Sequence, residues 1–189
     1  MQIFLDQDYI RVIDQALDAQ LCAEIIEQFE RDHQRHHHDG DRYIELDIFT
    51  RSQKLWQPVR ERWRELGAIL TDRVNEMVSL YRRDWDPYLC LPNQYAMEGM
   101  RVKAYRRGYH QFRTHVDIGN RDSSTRFLSF LFYLNDNTAG TEFLRPELYV
   151  EARQGRCVIF PPNWLYPHRG LQPQDTDKYI LSTYLHYGF

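Results

Sequence analysis

Along the first half of the chain apolar residues recur at helical spacing; near residue 90 the pattern changes to short, alternating runs. Leu17, Leu21, Cys22, Ile25, Ile26 and Phe29 fall on one helical stripe, with Asp14 positioned as an N-cap ahead of it. Trp56, Val59, Trp63, Leu66, Leu70, Val74, Met77, Val78 and Tyr81 form a longer stripe, with a break expected near Gly67. These patterns predict two or three amphipathic helices whose apolar faces need a sheet to cover. Trp56 and Trp63 read as core residues. Between the stripes, residues 32–41 carry His33, His36, His37 and His38 but almost no apolar side chains, which predicts a solvated loop rather than a second metal site.

Beyond residue 90, runs of β-formers occupy 94–105, 112–116, 126–134, 141–144, 148–151, 156–160, 166–170 and 179–187. Gly, Pro, Asn and Asp clusters separate them, at 107–108, 119–124, 135–140, 154–155, 161–163 and 172–177. Eight short strands without intervening helices predict a sandwich or barrel. The whole chain, 1–189, is expected to be one domain, with residues 1–90 as a helical support region and 91–189 as the β core. No internal repeat or low-complexity tract interrupts it.

Composition narrows the class of partner. With 189 residues, 42% hydrophobic and 14% aromatic, the chain has enough apolar surface for a folded core. The net charge of −3 provides no basic footprint for nucleic acid, and acids accompany most Arg clusters. Cys22, Cys90 and Cys157 are widely spaced and odd in number, as expected of buried free thiols in a reducing compartment. No stretch approaches the roughly 20 apolar residues of a membrane span, and the acidic N-terminus does not read as a signal peptide. The expectation is a cytoplasmic protein with no membrane partner.

Candidate chemistry centres on His115-Val116-Asp117 at the end of a predicted strand. Side chains at i and i+2 share a strand face, so an imidazole and a carboxylate converge. A third ligand is then wanted from a distant strand, and His168 is the candidate. Two His and one carboxylate on one face of a metal leave the other positions open, which suits ferrous iron that binds co-substrate and dioxygen together. A structural zinc site would be closed by four ligands, often cysteines, and none lie near.

Taken alone, H-x-D is a weak motif; its surroundings make it specific. Tyr105 lies ten residues before His115 and Lys178 ten after His168. Between residues 101 and 185 run Y-R-R-G ahead of H-V-D, then R-F-L-S-F-L-F-Y-L-N-D, A-G-T-E-F, Q-G-R-C-V-I-F, Pro167-His168 and K-Y-I-L-S-T-Y. In these intervals the segment resembles the 2-oxoglutarate/Fe(II)-dependent dioxygenases, and among them the prolyl 4-hydroxylase-like group. The resemblance implies a mainly β fold with N-terminal α-helices: a double-stranded β-helix (a jelly-roll, cupin-like barrel) backed by those helices. It implies Fe(II) on His115, Asp117 and His168, with 2-oxoglutarate as co-substrate, O2 as oxidant and ascorbate as a further candidate cofactor. It assigns Lys178 to the far carboxylate of 2-oxoglutarate, with Tyr105, Tyr133 and Thr183 as hydroxyl donors to the same group. Much of the superfamily has arginine where this chain has Lys178, and a double glycine where it has Ala139-Gly140.

The activity implied is hydroxylation of an unactivated C–H bond with release of succinate and CO2. Asp117, in place of a glycine or alanine, argues against halogenation. Lys103, Tyr105, Arg113 and His115 occupy alternating positions on two strands. Lys103 and Arg113 therefore either face the pocket and favour an anionic or zwitterionic substrate, or stand in solvent at its rim. Trp164, close before His168, is a candidate for the entrance. His110 and His186 are expected at strand edges without chemical roles. The substrate class spans an amino acid, a prolyl residue in a peptide and a small metabolite. Two other readings are a demethylase or sensor using the same chemistry, and a non-catalytic cupin-type protein binding a metal or small ligand.

Overall fold

The computed structural model describes residues 1–48, 57–89 and 91–188; Trp56 and Cys90 lie outside them. The chain opens with a hairpin of β1 (Gln2–Gln7) and β2 (Ile10–Asp14), followed by α1 (Ala19–Arg31). A 3-10 turn at His33–Arg35 leads to β3 (His37–Asp39) and β4 (Tyr43–Asp47), then to the long α2 (Gln57–Leu89). The C-terminal half contains β5 (Tyr95–Met97), β6 (Arg101–Tyr105), β7 (Phe112–His115), β8 (Arg126–Tyr133) and β9 (Asn137–Phe143). It ends with β10 (Leu148–Ala152), β11 (Cys157–Phe160), β12 (His168–Gly170) and β13 (Lys178–Tyr187).

All pairings are antiparallel. The larger sheet has nine strands in the order β1-β2-β11-β8-β13-β6-β4-β3, with β5 paired to β13; the smaller runs β10-β9-β12-β7. Every run expected after residue 90 contains a strand. Two boundaries move: 94–105 splits into β5 and β6, and β9 begins at Asn137, inside a stretch expected to be a turn.

The first half differs more. Besides its helices it supplies four strands, β1 to β4, to the larger sheet, so a purely helical support region is corrected. The alternation in Ile10–Asp14 and Tyr43–Asp47 carries that signal, but each run has only five residues and lies beside stronger helical stripes. The cap of α1 is Asp18, whose Oδ1 accepts from Leu21 N at 2.8 Å. Asp14 instead ends β2 and pairs with Arg156 at 2.6 Å. The polar histidine stretch is the 3-10 turn plus β3 rather than a loop; His36 stacks on Phe29 at 4.0 Å. Gly67 does not break α2, because one glycine costs only about 1 kcal/mol within a long, packed helix.

Two buried clusters organise the interior. The first joins Leu21, Cys22, Ile25 and Phe29 of α1, Trp63, Leu66, Leu70, Val74, Met77 and Tyr81 of α2, and alternate residues of the larger sheet such as Phe130, Phe132, Leu181 and Leu185. At roughly 1.5–3 kcal/mol for each large side chain, this cluster is a dominant favourable contribution. The second lies between the sheets and includes Tyr43, Tyr105, Tyr133, Phe143, Phe160 and Ile180. Strand alternation assigns each residue to one cluster or the other. On β13, Leu181 and Leu185 face the helices, whereas Lys178, Ile180, Ser182 and Tyr184 line a cavity between the sheets.

Candidate metal and co-substrate site

His115 ends β7 and His168 begins β12, and the strand register sets them directly opposite one another. Opposed residues on one face of an antiparallel pair hold their Cβ atoms about 5 Å apart. The imidazole centroids are 4.3 Å apart. Asp117, just past β7, turns its carboxylate to both rings, with Oδ1 3.6 Å from His115 Nε2 and 3.9 Å from His168 Nε2. The three ligand atoms lie within 4.8 Å of one another, and no other such group of three occurs among the described residues.

Each histidine is oriented by its own strand. His115 Nδ1 lies 2.8 Å from the Arg113 carbonyl, and His168 Nδ1 lies 3.0 Å from that of Tyr166. A carbonyl can only accept, so both Nδ1 atoms carry the proton and both Nε2 atoms keep a lone pair toward Asp117. That tautomer suits a metal ligand. Phe112 stacks on the His115 ring at 3.6 Å and further restricts it.

The carboxylate is equally constrained. Ser129 Oγ donates to Asp117 Oδ2 at 3.2 Å and Tyr184 OH to Oδ1 at 3.1 Å. Burial alone would raise the acid's pKa; the neighbouring His115, His168 and Lys103 outweigh it and hold the pKa at about 2, so Asp117 is an anion ready for a cation. Burial pushes the His168 pKa down, in keeping with a neutral ligand. Behind Tyr184, Arg126 stacks on its ring at 3.8 Å and donates to the Asp117 carbonyl at 2.8 Å. Glu98 holds Arg126 with two hydrogen bonds, of 2.8 and 2.7 Å.

The cavity beyond the three ligands is lined by Lys103, Tyr105, Phe112, Thr141, Ser182 and Lys178, among others. Lys178 is 2% exposed; its Nζ donates to the Leu171 carbonyl at 3.0 Å and lies 4.4 Å from the centre of the Tyr105 ring. Burial lowers its pKa to about 7. Two of its protons are not used by Leu171, so a carboxylate entering the cavity finds donors there. Ser182 Oγ is buried without a hydrogen-bond partner. The site is fitted for a group the polypeptide does not supply: two imidazole lone pairs and a carboxylate for a divalent metal, and a buried cation for an acid.

Not every expected residue meets the cavity. Tyr105 lines it, but Tyr133 does not: its hydroxyl donates to Thr141 Oγ1 at 2.7 Å, and Thr141 is the residue that faces inward. Thr183 lies on the other face of β13, with its hydroxyl bonded to the Glu98 carbonyl at 2.7 Å. Lys178 and Thr183 are five positions apart, an odd offset, so a regular strand cannot point both into one cavity. Arg113 has a side chain 75% exposed and paired with Asp41, because its long stem reaches water past the sheet edge. Trp164 is 75% exposed and does not line the cavity, although its loop meets the Asp117 loop where Ile118 N donates to the Pro162 carbonyl at 3.1 Å. Lys103 does line it. His186 is not idle: it contacts Thr125 and Glu98 in the network behind the site. Ser129, Thr141, Ser182 and Tyr184 were legible only through alternation counted along β8, β9 and β13.

Residues 100–186 match the family model of the 2OG-Fe(II) oxygenase superfamily. No curated protein matches the chain in sequence. Among solved structures, it is similar to the viral collagen prolyl hydroxylase of Paramecium bursaria Chlorella virus-1 in its 2OG complex. Identity there is 15%, the TM-score is 0.69, and 98% of this chain and 99% of the other are covered. A Pseudomonas putida prolyl-4-hydroxylase is 17% identical at TM-score 0.66, covering 97% and 95%. A Trichoplax adhaerens prolyl hydroxylase, in complex with a hypoxia-inducible factor peptide fragment, is 14% identical at TM-score 0.72, covering 96% and 84%. At these identities the structures speak for the fold, and the family match for the chemistry. Residues 100–186, which contain all three candidate ligands and Lys178, thus match the 2OG-Fe(II) oxygenase superfamily in sequence and lie in a fold shared with prolyl hydroxylases.

Proposed function

We propose that this chain is a hydroxylase in which His115, Asp117 and His168 hold Fe(II), and Lys178 receives the far carboxylate of 2-oxoglutarate. The observation that carries the reading is the opposed histidine pair with both Nε2 atoms turned to a buried carboxylate, in a cavity that also holds a buried lysine. When bound, iron with 2-oxoglutarate and O2 supplies the oxidising power to hydroxylate an unactivated C–H bond, with succinate and CO2 as co-products.

The chain's own residues do the positioning. The Arg113 and Tyr166 carbonyls keep the imidazoles in the ligating tautomer, and Ser129 and Tyr184 fix the carboxylate. At the other end Lys178 neutralises the co-substrate acid. Tyr105 packs beneath that ammonium, and Tyr133, by donating to Thr141, leaves the threonine proton free for the same acid. Phe112, Phe160 and Ile180 keep the cavity apolar between these polar ends, which limits water near the reacting carbon. The framework is a double-stranded β-helix backed by α1 and α2, forming one oxygenase domain over residues 1–189. Substrates within the proposal are a free amino acid, a small metabolite and, as the names of the structural neighbours suggest, a prolyl residue in a peptide.

The test is succinate formation by purified protein supplied with Fe(II), 2-oxoglutarate and air. Asp117→Ala is expected to abolish it, and Lys178→Met to raise the 2-oxoglutarate requirement at least about tenfold while metal binding persists. Metal binding with no succinate from the unaltered protein, over a broad substrate panel, would instead indicate a cupin-type binding protein.

A further inference from the structure

Lys103 is a second lysine in the same cavity, and the role given to Lys178 leaves it without an anion. It is 6% exposed, and its Nζ lies 4.7 Å from the centre of the Tyr43 ring and 5.8 Å from that of Phe112. Among the described residues it makes no hydrogen bond and no ion pair. Glu45, opposite it on β4, lies outside the cavity lining and does not come within ion-pair distance. On the adjacent strand, Ile180 stands opposite Lys103 and Ser182 opposite Arg101. Ser182 is therefore the diagonal neighbour of Lys103 on the cavity face, and its buried hydroxyl also lacks a partner. An ammonium held only against aromatic rings and a hydroxyl at the diagonal position, neither with a hydrogen-bond partner among the described residues, form a donor pair suited to a carboxylate.

The charges say whose carboxylate it is. The charged side chains lining the cavity are Lys103, Lys178 and Asp117. On the reading above, the two carboxylates of 2-oxoglutarate go to the metal and to Lys178, and Asp117 is spent on the metal. Lys103 is then the lining cation with no ion-pair partner within contact distance among the described residues, in a place where a charge without one is costly. We propose that Lys103, with Ser182, binds a carboxylate of the substrate, so that the substrate is a small carboxylic acid, free amino acids included. A small acid is favoured over an acidic peptide because the ammonium is buried inside the cavity rather than displayed at its rim.

This inference rests on the proposed oxygenase function, and binding measurements separate the two. Mn(II) replaces Fe(II) so that ligands bind without turnover. Calorimetry is then run on the unaltered protein and on Lys103→Met and Lys103→Arg. The ligands are 2-oxoglutarate, 2-oxobutyrate (which lacks the far carboxylate), and, on the Mn(II)–2-oxoglutarate protein, free L-amino acids, small hydroxy acids and acidic pentapeptides, each beside its carboxamide. At least one small acid is expected to bind about tenfold or more tighter than its amide. Lys103→Met should reduce that preference to less than about twofold, Lys103→Arg should retain most of it, and the affinities of both oxo acids should stay within about twofold. Acids and amides binding alike to the unaltered protein would overturn the inference, and that arm needs no variant. So would a Lys103→Met protein that binds 2-oxoglutarate or 2-oxobutyrate markedly less well, since Lys103 would then serve the co-substrate; binding confined to acidic peptides would also refute it. Failure of 2-oxoglutarate to bind the unaltered Mn(II) protein would defeat the underlying function instead.

Discussion

A lysine that folds into a nearly dry cavity is held at a cost, and the cost depends on pH. Burial brings Lys178 to about 7, whereas the unfolded chain keeps its lysines near 10.5. Between those values the unfolded state binds the extra proton, so stability should rise with pH across that window, and Lys178→Met should flatten the slope. A carboxylate placed beside the amine restores the charged form. At pH 8, binding of 2-oxoglutarate to the metal-loaded protein should therefore take up close to one proton, read from the dependence of binding enthalpy on buffer ionisation enthalpy; the Met variant should take up none. Gly140 shows a different constraint: a Cβ there would stand 2.0 Å from the Val150 carbonyl oxygen, where β9 and β10 meet. Gly140→Ala should cost roughly 1–3 kcal/mol or more, seen as a lowered melting temperature. At this scale the sequence was legible where strand spacing and the family resemblance agree: His115, Asp117, His168 and Lys178 do meet at one cavity. It was not legible where the path of a long side chain decides: Arg113 and Lys103 both fit the alternation, yet Arg113 reaches out to Asp41 and Lys103 turns in beside Tyr43. Thr183, offered by the resemblance, falls on the opposite face of β13, and the position with the parity of Lys178 is Ser182.

Among elements, the joint that matters most to the site is the one between β5–β6 and the start of β8. Glu98, between the first two strands, takes hydrogen bonds from Arg126 at the head of β8, from Arg101 and from His186 of β13. Burial on its own would raise the Glu98 pKa, but the Arg126 and His186 hydrogen bonds dominate and lower it from 4.5 to about 2. A depressed carboxylate stabilises the fold above its unfolded pKa and loses that contribution as pH falls. Between about pH 4.5 and pH 2 some 3 kcal/mol of order-of-magnitude stability should disappear. Glu98→Gln should remove this acid-sensitive part in pH-dependent urea unfolding. Because Arg126 would lose its anchor, the variant should also bind metal less tightly. The strands after residue 90 were readable because turn residues punctuate them at every step. β1 to β4 were not, since hairpins of three to six residues have too few positions for alternation to outweigh a neighbouring helical stripe.

For the whole molecule, the two clusters divide the labour. One ties both helices to the larger sheet, and the other holds the sheets together around the cavity. No helix among the described residues is long and apolar enough to cross a membrane. Arg11 carries the connection across the first layer: it is buried, donates to the Leu80 carbonyl of α2 at 2.7 Å, and pairs with Asp6 and with Asp84. Ligands that bridge the sheets should tighten the whole. Mn(II) with 2-oxoglutarate, each at about 100 times its dissociation constant, should add roughly 3 kcal/mol or more. For a chain of this size that is a rise in melting temperature of about 5–10 °C, and Asp117→Ala should show almost none of it.

The central place of β13 has a consequence for how the molecule is made. That strand pairs with β5, β6 and β8 and brings Lys178, Ser182 and Tyr184 to the cavity. While a ribosome is still decoding the codons that precede it, β6 and β8 flank an unfilled slot with bare backbone donors and acceptors on either side. Nascent chains arrested before residue 178 should thus be sticky, protease-sensitive and dependent on chaperones, and should gain protection in one late step when the final strand slides in.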